Sequence, residues 1–79
     1  MKLNAAIAKR VIELKEESGL NLYAFGKLVG VASSTLDDVI KCKNDTVKIR
    51  IIFEITQGLN ISLKEFFDRP YFDKENLID

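Results

Sequence analysis

Histidine is absent from the 79-residue chain, and cysteine occurs once, at Cys42. One cysteine cannot form an internal disulfide framework, and a structural zinc site needs several cysteine or histidine ligands. Without histidine the chain also lacks the commonest general base, and no glycine-rich phosphate loop is present. These absences argue against an enzyme, a metal site and a bound cofactor. Cys42 is expected to be a partly buried and inert thiol.

Long apolar runs are also absent. No stretch of about 18 apolar residues occurs, and the first residues do not have the pattern of a signal peptide. We therefore expect a cytoplasmic protein without a membrane-spanning segment. A chain of this length forms one small domain, whose single core supplies roughly 3–5 kcal/mol of stability.

No excess of one charge sign is present either, because 12 basic and 12 acidic residues give a formal net charge of zero. The charges are nevertheless unevenly distributed. Residues 1–64 hold ten basic and seven acidic side chains, whereas residues 65–79 hold two and five. A mildly basic body with an acidic tail permits nucleic-acid binding but does not establish it.

Apolar residues recur along the chain at helical spacing, which predicts an all-α domain of five helices. The predicted helices cover residues 4–18, 21–29, 33–41, 46–59 and 62–69. The β-branched run 47–52 is compatible with a strand, but its spacing continues to residue 59 with a helical period. Residues that favour helix ends are Asn4, Asn21, Thr46 and Ser62 as N-caps, Gly19 and Asn60 as left-handed closing residues, and Pro70.

The predicted core contains the residues that share one inner face on each helix. They are Val11, Leu14, Phe25, Val31, Leu36, Val39, Ile52, Ile55, Leu59 and Phe66. On the fourth helix the inner face is expected to include Ile49, Phe53 and Thr56 as well.

Residues 21–40 carry the clearest functional signal. Apolar residues recur at Phe25, Leu28 and Val29, stop at Gly30, and resume at Leu36. Two short helices joined by a turn that needs glycine are the layout of a helix-turn-helix. In that motif the first helix crosses the DNA backbone and the second lies in the major groove.

The order and spacing of these signals resemble the lambda-repressor-like (Xre/Cro type) helix-turn-helix family over roughly residues 9–67. The matching pieces are Arg10-Val11, Leu14-Lys15, Gly19-Leu20-Asn21, Gly30-Val31, Ser34-Thr35-Leu36 and the ending from Leu59 to Phe67. The resemblance implies a five-helix DNA-binding domain over residues 1–69. It also implies a transcriptional regulator that binds a short pseudo-palindromic operator as a homodimer.

The residues expected at double-stranded DNA lie on the second helix, on the outer face of the third, and just after it. Short hydroxyls can bond phosphates or base edges, carboxylates can accept from cytosine, and lysines can contact phosphates. The expected DNA-binding residues are Asn21, Lys27, Ser33, Ser34, Thr35, Asp37, Asp38, Lys41, Lys43 and Asn44.

Apolar residues near the C-terminus are expected to form the dimer interface. A small domain has little core left to cover residues 70–79, the acidic and aromatic tail, so a second chain is expected to cover them. The expected interface residues are Phe67, Tyr71, Phe72, Leu77 and Ile78.

Three positions favour a different function. The family often has glutamine at the position of Leu22, where the amide contacts a phosphate, and leucine cannot make that contact. Asp37 and Asp38 place two carboxylates on the helix that should approach phosphates. The alternative is therefore a protein-interaction module, of antitoxin or anti-regulator type, with weak or no DNA binding.

Overall fold

The computed structural model describes residues 1–79 and is all-helical, as predicted. No helix in it has both the length and the apolar character needed to cross a membrane. Segment 47–52 contains no strand. The helices are α1 (Leu3–Ser18), α2 (Leu22–Val29), α3 (Ser33–Ile40), α4 (Ile49–Leu59) and α5 (Leu63–Phe67), followed by single 3-10 turns at Pro70–Phe72 and Lys74–Asn76.

Most of the predicted helix ends are confirmed. Gly19 and Asn60 have φ values of 71° and 56°, which is the left-handed region that ends a helix. The Asn21 side chain accepts a hydrogen bond from the Ala24 N–H at 2.9 Å and so caps α2. Ser62 and Glu65 form the reciprocal capping box that opens α5.

Asn4 and Thr46 are not N-caps, and both predictions were wrong. Helix α1 already begins at Leu3, and Asn4 is buried with its amide donating to the Asn44 carbonyl at 3.1 Å. Helix α4 begins only at Ile49, because the backbone before it is extended. At Asn4 the reason is a contact between α1 and the loop after α3 that no local pattern shows.

The predicted core is confirmed except at Leu59, which is only partly buried. On α4 the inner face is narrower than predicted. Ile52, Ile55 and Thr56 are buried, whereas Ile49 and Phe53 are 62% and 37% exposed. On α2 a further apolar residue of the pattern, Leu28, is 48% exposed. Helices α2 and α4 therefore leave apolar side chains at the surface.

Two glycines let α2 pack closely on its neighbours. A Cβ at Gly26 would lie 2.6 Å from the Val31 carbonyl oxygen, so the turn after α2 can fold back against the helix. A Cβ at Gly58 would lie 2.5 Å from the Val29 Cα, so α4 can lie directly on α2. Because nothing bulkier fits at either position, α2 is held between the turn and α4.

Residues 70–79 fold back onto the helices of the same chain. The Phe72 ring lies 5.0 Å from the Phe67 ring centroid, and the Tyr71 hydroxyl donates to the Glu13 carboxylate on α1. The Ile78 N–H donates to the Met1 carbonyl at 3.1 Å. Burial, and then the hydrogen bond to Glu13, raise the pKa of Tyr71 well above its ordinary value.

The apolar residues of the tail are therefore covered mostly by their own chain. Phe67, Tyr71, Phe72 and Leu77 are half-buried, and only Ile78, at 73% exposure, lies largely in solvent. The expectation that one small domain cannot cover these side chains was wrong, because α1 and α5 do so. The assignment of these five residues to a dimer interface stays a prediction without that support.

Candidate nucleic-acid interface

The turn between α2 and α3 fixes the position of α3. Gly30 has φ 74°, a conformation in which a residue with a side chain would be strained. The Gly26 carbonyl accepts hydrogen bonds from both the Gly30 N–H and the Val31 N–H, at 2.8 and 3.0 Å. Val31 is buried between the two helices, as predicted. Leu36 and Val39 bury the inner face of α3. The opposite face of α3 is consequently turned toward solvent.

Short polar side chains occupy that outer face. Ser34 is exposed, while Ser33, Thr35, Asp37 and Asp38 are half-buried. The residue before the helix is Ala32, and no side chain caps the first turn of α3. The first N–H groups of α3 and the adjacent hydroxyls therefore offer donors that an anion such as phosphate can use.

Both aspartates of α3 are paired with lysines that follow them. The Lys41 ammonium lies 3.0 Å from the Asp37 carboxylate, and the Lys43 ammonium lies 3.2 Å from Asp38. All four side chains remain partly exposed to water, so these pairs add little to stability and exchange partners easily. In the free protein the two expected phosphate-binding lysines are electrostatically balanced by the carboxylates beside them.

The loop that follows α3 turns sharply at Cys42, which has φ 53° although it is not glycine. Its thiol lies 3.8 Å from the Asn4 carbonyl oxygen. The expectation of a partly buried thiol was wrong, since Cys42 is exposed.

A cleft of about 250 Å³ separates α3 from the loop and the start of α4. Thr35 and Asp38 form one side, and Asn44 and Lys48 lie on the other. Lys48 was not among the predicted site residues because it fell inside a helix predicted to start at residue 46. It has no carboxylate within 4.0 Å, so its charge is unpaired beside the outer face of α3.

The two predicted DNA-binding residues at α2, Asn21 and Lys27, do not lie at this cleft. Asn21 is exposed at the start of α2 and serves as its cap. Lys27 lies with Leu28, Phe53 and Glu54 in a separate groove between α2 and α4. The structure thus brings Thr35, Asp38 and Asn44 together at one cleft but does not bring Lys27 to it.

One buried charge, which was not predicted from the sequence, joins α1 to α5. Arg10 is 3% exposed, and its Nε and Nη2 atoms donate to the Phe66 and Glu65 carbonyls at 2.7 and 3.1 Å. Its Nη1 lies 3.6 Å from the Glu13 carboxylate. The signal was available, because residue 10 lies on the same face of α1 as the buried Ile7 and Leu14.

Comparison of the chain with protein-family models, with curated proteins and with solved structures gives no match. Any functional assignment therefore depends on the residues and their arrangement.

Proposed function

We propose that the protein is a sequence-specific DNA-binding regulator with a lambda-repressor-like helix-turn-helix, acting as a homodimer on a short pseudo-palindromic operator. The observation that carries this proposal is the outer face of α3. Leu36 and Val39 hold the helix to the core. Hydroxyl and carboxylate groups project from its other side, next to an uncapped helix start. Such a helix can enter a major groove with its first turn toward the bases.

Each side chain of this face has a specific role in the proposal. Ser33 and Ser34, at the start of α3, bond phosphates or base edges, and the Thr35 methyl contacts a thymine. Asp37 and Asp38 accept from cytosine amino groups and repel other groove edges, so they reduce binding to wrong sequences.

Lysines after α3 supply the contacts that do not depend on sequence. Lys48 is free to contact a phosphate, whereas Lys41 and Lys43 must first exchange their aspartate partners for phosphates. Because few cations are available, affinity should fall with salt less steeply than it does for a strongly basic repressor.

Selection of bound fragments from random duplex DNA tests the proposal. We expect a recurrent short pseudo-palindrome, and we expect Ser34→Ala to alter the preferred base at one position in each half-site. The serines outside α3 are unsuitable as controls, because Ser62 caps α5 and the Ser18 hydroxyl bonds the Lys15 carbonyl and the Leu20 N–H. Ile12→Ala, at an exposed position of α1, serves instead. Failure to enrich any sequence would contradict the proposal.

The second candidate function is a protein-interaction module built on the same helices. The pairing of Lys41 with Asp37 and of Lys43 with Asp38 favours it, because these four side chains together carry no excess positive charge. A chain of this kind would enrich no DNA sequence and would show no salt-dependent shift of duplex DNA. Those two results together would make it the leading assignment.

A further inference from the structure

The homodimer in the proposed function needs a surface, and the tail expected to supply it is mostly covered within one chain. Of the residues assigned to that interface, only Ile78 is largely exposed. The structure instead leaves a different apolar surface uncovered, on the side where α2 meets α4.

This surface, the α2–α4 face, consists of Leu28, Ile49 and Phe53. Leu28 and Phe53 lie on opposite walls of a shallow groove of about 430 Å³. Ile49 precedes Phe53 by one helical turn and so extends the same side of α4. Their exposed fractions are 48%, 62% and 37%, and none of them belongs to the core. Apolar side chains left partly exposed on α2 and on one side of α4 favour a partner that covers them.

The charges beside the groove indicate which partner fits. Lys27 lies on the α2 wall and Glu54 on the α4 wall. Lys27 has no carboxylate within 4.0 Å, while Glu54 has only an exposed pair with Arg50 at 3.4 Å. A two-fold axis that runs along the groove turns one copy so that its α2 wall meets the α4 wall of the other. The arrangement then places Lys27 of each copy against Glu54 of its partner, twice.

We propose that the α2–α4 face is where a second copy of this chain docks, with Phe53 and Leu28 as its apolar centre and Lys27–Glu54 pairs at its edges. This inference deepens the homodimer of the proposed function. The surface is small compared with interfaces of about 1,200 Å² or more, so the free dimer is weak and reversible.

Sedimentation of the full chain at a series of concentrations tests the apolar centre. We expect dimers at high micromolar concentration, and we expect Phe53→Ser to raise the dimer dissociation constant about tenfold or more. Ile12→Ser is the matched control, because Ile12 is 38% exposed on α1 and lies outside the groove. Ile78→Ser tests whether the tail takes part in the dimer. Neither Ile12→Ser nor Ile78→Ser should change the dimer dissociation constant.

A charge exchange tests the two-fold arrangement without touching the apolar centre. Lys27→Glu or Glu54→Lys alone should weaken the dimer about fivefold or more, because each change places two like charges together at both edges. The double variant restores opposite charges and should return to within about twofold of the parent. Lys64→Glu, which reverses an exposed charge on α5 outside the groove, is the control and should not weaken the dimer.

The results separate this inference from the proposed function. A monomer at high micromolar concentration, an unaffected Phe53→Ser dimer, or loss of the dimer in Ile78→Ser would each overturn the α2–α4 face as the docking surface. Absence of rescue in the double variant would overturn the two-fold arrangement. A chain that dimerises through this face and selects no DNA would refute the proposed function alone. A chain that selects a pseudo-palindrome while dimerising through Ile78 would refute the α2–α4 face and support the proposed function.

Discussion

Two groups of charged side chains in this small domain are held in opposite ways. Around Glu13, the Arg10 and Arg69 guanidinium groups and the Tyr71 hydroxyl meet where α1, α5 and the tail join. After α3, the Asp37–Lys41 and Asp38–Lys43 pairs stand in water. The first group links segments that are far apart in the chain, whereas the second links neighbours.

The difference shows that solvent exposure, more than residue type, decides what a charged group does. Arg10 is buried and donates to two carbonyls, so removing it would leave those carbonyls unpaired. The lysines after α3 are well exposed and lose little when their partners leave. The α1–α5 junction therefore stabilises the fold, and the α3 face stays available for a ligand.

The largest effect is expected when a charge is moved from the outer to the inner face of α3. Val39→Asp should destabilise the domain by more than about 4 kcal/mol and unfold it, because an unpaired carboxylate would be buried. Ser34→Asp, on the exposed face of the same helix, is the control and should leave the fold intact. Thermal unfolding followed by circular dichroism measures both. A normal transition for Val39→Asp would show that α3 docks differently.

The next largest loss of stability is expected when the buried Arg10 guanidinium is replaced. Arg10→Met keeps the length of the side chain but removes its donors to the Phe66 and Glu65 carbonyls, and should cost about 3 kcal/mol. Lys41→Met, which removes an exposed charge, should change stability by less than about 0.5 kcal/mol. Urea denaturation of both variants checks this contrast. Equal losses would mean that the two groups of charges do not differ as described.

A smaller effect is expected at the tail. Tyr71→Phe removes the hydrogen bond to Glu13 and should cost about 1 kcal/mol near neutral pH. Because the folded-state pKa of Tyr71 is raised above its ordinary value of 10.0, its contribution is fully present below that pH. It is lost as the pH rises further, since the unfolded chain then releases a proton that the folded chain retains.

Measurement of stability against pH isolates this contribution. Above pH 10.0 the parent should lose stability more steeply than Tyr71→Phe. Tyr23→Phe is the control, because Tyr23 is exposed on α2 and its removal should not flatten the parent's curve. Parallel curves for the parent and Tyr71→Phe would contradict the raised pKa that burial, and then the hydrogen bond to Glu13, give to Tyr71.

The smallest effects on stability are expected at the lysines beside α3, although DNA binding should respond. Lys48→Ala should leave the free energy of unfolding within about 0.5 kcal/mol of the parent. It should weaken binding to operator and random duplex about equally, because a phosphate contact carries no sequence information. Lys64→Ala, on α5, is the control for net charge. Loss of operator binding alone would place Lys48 at a base instead of a phosphate.

Residues whose partners are near in sequence were predictable, and those with distant partners were not. The Asn21 cap, the Gly30 turn and the inward Leu36 all depend on contacts within a few positions, and each was predicted from spacing. Asn4 was misassigned because its side chain bonds a carbonyl 40 residues away. The fold of the tail was missed for the same reason, since Tyr71 meets Glu13 across 58 positions.

At the candidate site, too, only the contact that depends on regular helical spacing was predictable from the sequence. The Asp37–Lys41 pair follows from i,i+4 spacing on a helix. The Asp38–Lys43 pair does not, because it forms only after Cys42 turns the chain with a positive φ and brings the Lys43 N–H to the Asp38 carbonyl at 3.0 Å. A helical pattern alone would have placed Lys43 away from Asp38.

Removal of the carboxylates from α3 tests most directly whether this face meets DNA. Asp37→Asn with Asp38→Asn frees Lys41 and Lys43 and removes two charges that would repel phosphates. The control is Asp73→Asn with Glu75→Gln, which changes the net charge equally at two exposed tail residues that make no ion pair.

Fluorescence anisotropy of a labelled random duplex, measured over a series of salt concentrations, compares the two variants. We predict that the α3 variant binds about tenfold more tightly than the control at low salt. Its salt dependence should also be steeper, because two more lysines can neutralise phosphates. Equal affinities and equal slopes for the two variants would contradict the account, since the carboxylates of α3 would then not face DNA.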